Sequence, residues 1–174
     1  MNILIIADKE AMTPLSENLL AEARELLEEK GNDVEVIETG PGDVAPCLGC
    51  LRCLTKTHGV CVNVDVLSHV NKRIGDFDLL CYFGPIVFGQ FSATMKNVLD
   101  RTQIHKMMRS RFLIAIGYGE DVRDDELATF LDTFKKHRGK ANSLHPQVRE
   151  RFEVFASRSI EDNNVVCAHL KRSL

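Results

Sequence analysis

Short, largely apolar runs alternate along this chain with longer stretches in which apolar residues recur every third or fourth position. The runs are ILII (Ile3 to Ile6), VEVI (Val34 to Ile37), LLCYF (Leu79 to Phe83), FLIAIG (Phe112 to Gly117) and FEVFAS (Phe152 to Ser157). Runs of this length and composition suit strands covered on both faces. After the first, Leu15, Leu19, Leu20, Ala23, Leu26 and Leu27 fall at helical spacing, with Thr13-Pro14 as cap and first turn and Lys30-Gly31 as stop. The same periodicity predicts helices over Asp65 to Gly75, from Ser92 through Met95, Val98 and Leu99 to about Met108, and over Leu127, Phe130, Leu131 and Phe134 behind an Asp124 cap. A closing helix is expected over Asp162 to Leu174. GPIVFGQ (Gly84 to Gln90) reads as a loop, and so does the stretch from Glu38 to about Val62, where Gly40, Pro41, Gly42 and Pro46 break any period.

Five strands alternating with five helices imply a parallel sheet wrapped on both faces, an α/β architecture of three layers. Right-handed crossovers leave few topologies. Among them is the flavodoxin-like, doubly wound sheet of order 2-1-3-4-5, with a ligand crevice beyond the carboxyl ends of strands one and three. The irregular stretch leaves strand two at that same edge.

Composition adds limits rather than a function. At 174 residues, 44% hydrophobic and 27% charged, the chain reads as one soluble domain spanning residues 1–174, with a cysteine-rich loop at about 38–63. A net charge of −3 offers no electrostatic basis for binding nucleic acid or an anionic membrane. MNILIIADKE lacks the basic start and cleavage site of a secretory signal, so a cytoplasmic location with reduced thiols is expected.

That expectation bears on CLGCLRC. Cys47, Cys50 and Cys53 stand at every third position and Cys61 follows. Reduced thiols so close together point to metal or redox work, since soft sulfur ligands select iron–sulfur clusters or zinc. The spacing alone leaves open a 4Fe-4S cluster, a zinc site or free thiols. Zinc sites usually present two separated pairs, whereas here three cysteines are consecutive; the ferredoxin run is also excluded, because Cys61 lies too far away and no proline follows it. His58 reads as a solvent-facing loop residue, and His69, His105, His137, His145 and His169 have no metal spacing among them. Cys81 and Cys167 fit as small buried hydrophobes.

VAPCLGCLRC, then Cys61, then GPIVFGQFSATMKNVLDR together resemble the iron–sulfur flavoproteins within the NADPH-dependent FMN reductase group, over about Ile3 to Arg101. The resemblance implies Cys47, Cys50, Cys53 and Cys61 as ligands of a 4Fe-4S cluster, FMN as flavin, and NAD(P)H as electron donor. It also implies a homo-oligomer, dimer or tetramer, passing electrons to a redox partner protein or small-molecule acceptor. Pro85, Phe88, Gly89, Ser92, Ala93, Lys96, Asp100 and Arg101 fit the family's pattern after strand three, which lies against the flavin ring, so Pro85, Ile86, Val87, Phe88 and Gly89 are its implied contacts. Gly117, Tyr118 and Gly119 are placed at the ring edge or ribityl chain, or else form a simple turn.

The first loop departs from that family. Where relatives carry GSPR, this chain reads Asp8-Lys9-Glu10-Ala11. Hydroxyls, an arginine and free amides suit a phosphate dianion; two carboxylates oppose it, each by on the order of 1 kcal/mol in a crevice. Lys9, Thr13 and Ser16 remain as donors, and FMN is expected to bind more weakly than in relatives. The acidic pair also raises a response-regulator receiver on the same topology. That fold needs an aspartate ending strand three and a lysine after strand five, where Gly84-Pro85 and Ser157-Arg158 stand, which excludes it.

Electron transfer by an iron–sulfur flavoprotein is therefore the expected function. A plain NAD(P)H:FMN or quinone reductase with idle cysteines is one alternative. A non-enzymatic descendant without FMN, keeping a structural metal site, is another.

Overall fold

The structure, a computed structural model, describes the backbone of residues 1–57, 59–106, 112–144 and 151–173, and side chains over the same ranges except 103–106, 136–144, 151 and 173. The strands are β1 (Asn2–Asp8), β2 (Asp33–Thr39), β3 (Leu79–Val87), β4 (Gln90–Phe91), β5 (Phe112–Tyr118) and β6 (Arg151–Ser157). The helices are α1 (Pro14–Glu29), α2 (Arg52–Thr55), α3 (Val66–Arg73), α4 (Ala93–Lys106), α5 (Asp124–Leu144) and α6 (Ile160–Ser173). The expected ends of two helices, at Met108 and Leu174, His58, and the side chains of His105, His137 and His145 lie outside the described residues.

The parallel strands run β2-β1-β3-β5-β6, with β4 antiparallel to β3 off that path. The expected doubly wound sheet is present, but with six strands and the order 2-1-3-5-6 rather than five in the order 2-1-3-4-5. The difference comes from GPIVFGQ, which is not a loop. β3 continues through it to Val87, and the chain turns back at Phe88 and Gly89 so that Ile86 pairs with Phe91 and Val87 with Gln90. Both turn residues have positive φ, 49° and 73°, as a two-residue hairpin with the right-handed strand twist demands. Pro85 made the segment look like a loop, yet it stands opposite Tyr118 at the very end of the β3–β5 ladder.

Alternation along the strands divides the core. Leu4, Ile6, Leu80, Tyr82, Leu113 and Ala115 face α3, α4 and α5, where Leu67, Val70, Met95, Val98, Phe130 and Phe134 meet them. Ile3, Ile5, Cys81, Phe83, Ile114 and Ile116 face α1 and α6. Three layers result, with every central strand buried on both sides.

Local chemistry sets the boundaries. Thr13 caps α1 and shares a capping box with Ser16, with Pro14 at the first position; Asp65 and Ser68 do the same for α3. Asp124 is the first residue of α5 rather than its cap. The cap position falls at Arg123, whose amide donates to Glu126 (3.1 Å), while Asp124 pairs with Arg158 (2.6 Å). α6 starts two residues before the expected Asp162, because Ser159 accepts the Asp162 amide (3.2 Å). Cys81 is buried as expected; Cys167 is only half-buried, and its thiol donates to Glu22 (3.7 Å). Among the described residues no helix is long and apolar enough to cross a membrane.

Candidate functional site

Because β1, β2, β3 and β5 are parallel, the loops that follow them gather at one edge of the sheet. Three of those loops carry the residues that the sequence singles out.

The β3–β4 hairpin is anchored on α5. Phe91 packs edge-on against Phe130 at 5.0 Å between centroids, and Gln90 donates to Thr133 (3.1 Å). Gly89 passes so close to α5 that a Cβ would lie 2.8 Å from that of Thr129. Gly117 does a similar job beneath, where a Cβ would meet Ile86 at 2.6 Å and Phe130 at 2.7 Å. The tip points outward: Phe88 is 84% exposed and Val87 is 44% exposed. Of the expected flavin contacts, the side chains of Val87 and Phe88 are displayed, whereas those of Ile86 and Tyr118 are buried. Tyr118 lies with its ring 4.8 Å from that of Phe83 and donates its hydroxyl to the Asp8 carbonyl (2.7 Å). Burial, and then the Asp8 charge, push the Tyr118 pKa upward, so the hydroxyl stays a donor. Gly119 gives its amide to the Ser157 carbonyl (3.1 Å).

The first loop is closed on itself. Thr13 donates its amide to Ser16 Oγ (2.8 Å), Ser16 donates its own to Thr13 Oγ1 (3.5 Å), and Ser16 Oγ donates to the Thr13 carbonyl (3.0 Å). Lys9 leans the other way, its Nζ 3.8 Å from Asp43, which also accepts the Gly40 amide (2.9 Å). Asp8 is fully buried. One of its carboxylate oxygens accepts the Glu10 amide (3.0 Å) and the other accepts the Ser92 hydroxyl, which in turn accepts the Met95 amide (3.1 Å) at the start of α4. Glu10 accepts from Thr94 (3.4 Å). Lys9, Thr13 and Ser16 are thus brought to one end of α1 but already hold other groups, and two carboxylates are built in. This loop does not fit an FMN phosphate; the exposed hairpin tip suits the flavin ring.

The cysteine loop has the opposite character. Its two ends are tied together by α4 and by the residues that lead into α3: Asn97 donates to the Val44 carbonyl (3.1 Å), Asp65 accepts the Ala45 amide (3.0 Å), and Asn63 donates to the Pro46 carbonyl (3.0 Å). Arg101, its side chain 1% exposed, pairs with Asp65 and donates to the Ala45 carbonyl (3.2 Å). Burial opposes the charge on Asp65, yet the Arg101 hydrogen bond and charge hold its carboxyl below the usual range. Between these ties the chain is open. Leu51 adopts a left-handed φ of 54° just before α2, and a Cβ on Gly49 would meet nothing within 4 Å.

Cys47, Cys53 and Cys61 line one pocket with Gly59, Asn71, Asp100 and Arg101; Cys50 is exposed beside it. The Cys53 thiol is pushed up by burial first and by Cys61 next, with smaller effects of the same sign from Cys47 and Cys50. Neighbouring sulfurs that penalise the charge on Cys53 call for a cation to relieve it. Among the described residues, no three His, Cys, Asp or Glu stand where they would hold a single metal ion. Among the described residues that line this pocket, the buried Arg101 Nε and Asn71 Oδ1 have no partner in hydrogen-bond geometry. A buried donor beside several thiols matches the needs of a thiolate-ligated, negatively charged cluster, so the donor set fits one.

Arg101, Asp65, Asn71 and Asn97 are the residues that sequence reasoning missed as parts of this site. Asn97 and Arg101 stand four apart on one side of α4, and that polar pair was the available signal.

Residues 1–132 match the family described as NADPH-dependent FMN reductase. The chain belongs to the NADPH-dependent FMN reductase family. Within curated proteins, an iron-sulfur flavoprotein of Methanocaldococcus jannaschii is 31% identical over 85 residues, covering 49% of this chain and 43% of that protein. The chain thus aligns with less than half the length of that relative. Among solved structures, an NAD(P)H:quinone oxidoreductase from Methanothermobacter marburgensis superposes with a TM-score of 0.66 at 15% identity, over 99% of this chain and 94% of that one. A Megasphaera elsdenii flavodoxin gives 0.57 at 11% identity, over 98% and 96%. These likenesses establish the flavodoxin-like fold.

Proposed function

We propose that this protein is an oxidoreductase of the iron–sulfur flavoprotein type, transferring electrons between a reduced carrier and a quinone, oxygen species or redox protein. The observation that carries the reading is the pocket where Cys47, Cys53 and Cys61 meet a buried, partly unpartnered Arg101. Cys47, Cys50, Cys53 and Cys61 would hold a 4Fe-4S cluster, and Val87, Phe88 and the hairpin backbone would carry a flavin ring. When bound, the cluster would supply one-electron chemistry and a flavin ring on the hairpin one- or two-electron chemistry, with NAD(P)H as donor. The chain's own residues bind, orient and exclude water; Asp65, Asn97 and Arg101 keep the sulfurs together.

Leu48, Leu51, Leu54, Val60, Val62 and Val64 are exposed on and around the cysteine loop. An apolar concentration of this kind supports a homo-oligomer assembled across the loop, as a dimer or tetramer. Reduced thiols fit a cytoplasmic setting.

The closed first loop favours a second reading, a protein that has lost FMN and keeps a metal site at the cysteines. Anaerobic, iron-replete purification separates the two. Labile sulfide with bound flavin supports the proposal. Metal without flavin supports the second reading, and flavin without sulfide indicates a reductase with idle cysteines. Protein with neither overturns both readings.

A further inference from the structure

Arg101 does more at the cysteine pocket than tie its loop. One terminal nitrogen donates to the Ala45 carbonyl (3.2 Å) and to Asp65, and the other reaches the Asn63 carbonyl (3.5 Å). The residues just before Cys47 and just after Cys61 are therefore held by one cation. Its third nitrogen, Nε, is buried without a partner in hydrogen-bond geometry, and the Cys61 sulfur lies near enough to act on the guanidinium by charge and by hydrogen bonding. Asp100 lines the same pocket, but its carboxylate is engaged by Lys96 on the solvent side. A buried N–H left without an acceptor is rare and costly, and the acceptors that line this pocket are the three sulfur atoms, the Asn71 carbonyl oxygen and the Lys96-engaged Asp100 carboxylate, of which the sulfurs are the ones a bound group would use. Hydrogen bonds and charge around cluster sulfurs are among the levers that set a cluster's potential.

We infer that Arg101 is a positioning residue for the thiolate-bound group, one that aims an N–H and a fixed positive charge at the sulfur ligands and so sets their reduction potential. The inference rests on the cluster reading proposed above. A cluster that takes up one electron gains one negative charge without making or breaking a bond. A neighbouring cation favours the reduced form, and Asp65, which shares that cation, opposes it.

The test is redox titration of the anaerobically reconstituted protein against dithionite-poised mediators, with labile sulfide measured on each sample. Arg101→Gln should lower the reduction constant about tenfold or more, which is about 59 mV for a one-electron couple. Arg101→Lys, which keeps the charge, should stay within about threefold of the wild type. Asp65→Asn keeps a good helix cap and removes only the opposing charge, so its constant should rise. Opposite signs for Arg101→Gln and Asp65→Asn support a charge effect, which mere loosening of the loop would not produce. Equal potentials in all variants, or shifts of one sign for both, overturn the inference while leaving the cluster in place. If Arg101→Gln does not fold, the rise in Asp65→Asn and the retained potential of Arg101→Lys still decide. Wild-type protein without labile sulfide overturns the cluster reading, and this inference with it.

Discussion

Two loops at the same edge of the sheet treat polar groups in opposite ways. In the loop after β1, the buried Asp8 has a donor at each oxygen, Thr13 and Ser16 cap one another, and the Asp8 carbonyl holds Tyr118. Against the loop after β2, a buried arginine nitrogen from α4 and a buried asparagine oxygen from α3 have no partner in hydrogen-bond geometry, and burial and the neighbouring sulfurs raise the proton affinity of Cys53. A satisfied network stabilises the fold by itself. An unsatisfied one is costly unless something binds. On the proposed reading, the acidic loop is structure, and the cysteine loop is the place for a cofactor.

The sharpest way to break that contrast is Arg101→Leu. It removes the cation from a buried pair and leaves Asp65 among groups that were arranged around it, so a loss of about 3–5 kcal/mol is expected in urea unfolding. The pH profile should change as well. The folded Asp65 pKa lies below its unfolded value of about 3.9, so its contribution is present above that value and is lost as pH falls through the folded pKa. Wild-type stability should drop in acid below about pH 4 more steeply than that of Arg101→Leu. A small loss with an unchanged acid limb would mean that the pair contributes nothing to the loop.

On the other side, Asp8→Ala leaves the Ser92 hydroxyl and the Glu10 amide without their acceptor, and about 1–3 kcal/mol of stability should disappear. FMN affinity should move the opposite way, because a buried negative charge is gone from the approach to α1. For the wild type, FMN and riboflavin should bind with similar affinity in a fluorescence titration, since the loop gives the phosphate no anchor. An FMN preference of about a hundredfold would show that the loop opens to receive the phosphate, and the contrast between the loops would fail.

How much of this was legible beforehand follows from the range of each interaction. Ile3 to Ile6 and the Thr13-Pro14 cap are local signals, and the wrapped sheet followed from them. The hairpin at Phe88-Gly89 was masked by Pro85, whose strand role depends on lying opposite Tyr118, a residue 33 positions away in the β5 register. Tyr118 looked like a flavin neighbour because its bond to Asp8 spans 110 residues. The cysteines were visible through their spacing. Arg101 was visible only as a letter in a pattern, since its work on Ala45, Asn63 and Asp65 exists only after α4 packs beside the loop.

A smaller change tests whether the first loop is structural throughout. Thr13→Ala should cost about 1 kcal/mol by removing half of the capping box, with no effect on flavin binding. A simultaneous fall in flavin affinity would return Thr13 to the binding site and weaken the contrast.

The smallest effect is expected at Leu51, which holds a left-handed φ of 54° immediately before the short helix that carries Cys53. A non-glycine residue there stores about 1 kcal/mol of backbone strain. Leu51→Gly removes the Cβ clash but also frees the unfolded chain, so the metal-free protein should change by less than about 1 kcal/mol. Cofactor retention should respond more than stability does. Cys50 and Cys53 flank this residue, and a glycine lets their relative direction wander before any ligand arrives. Loss of labile sulfide on dilution should be faster in Leu51→Gly than in the wild type at equal thermal stability. Identical retention would mean that the strained turn contributes nothing to holding the sulfurs ready, and that the openness of this loop is only slack in the chain.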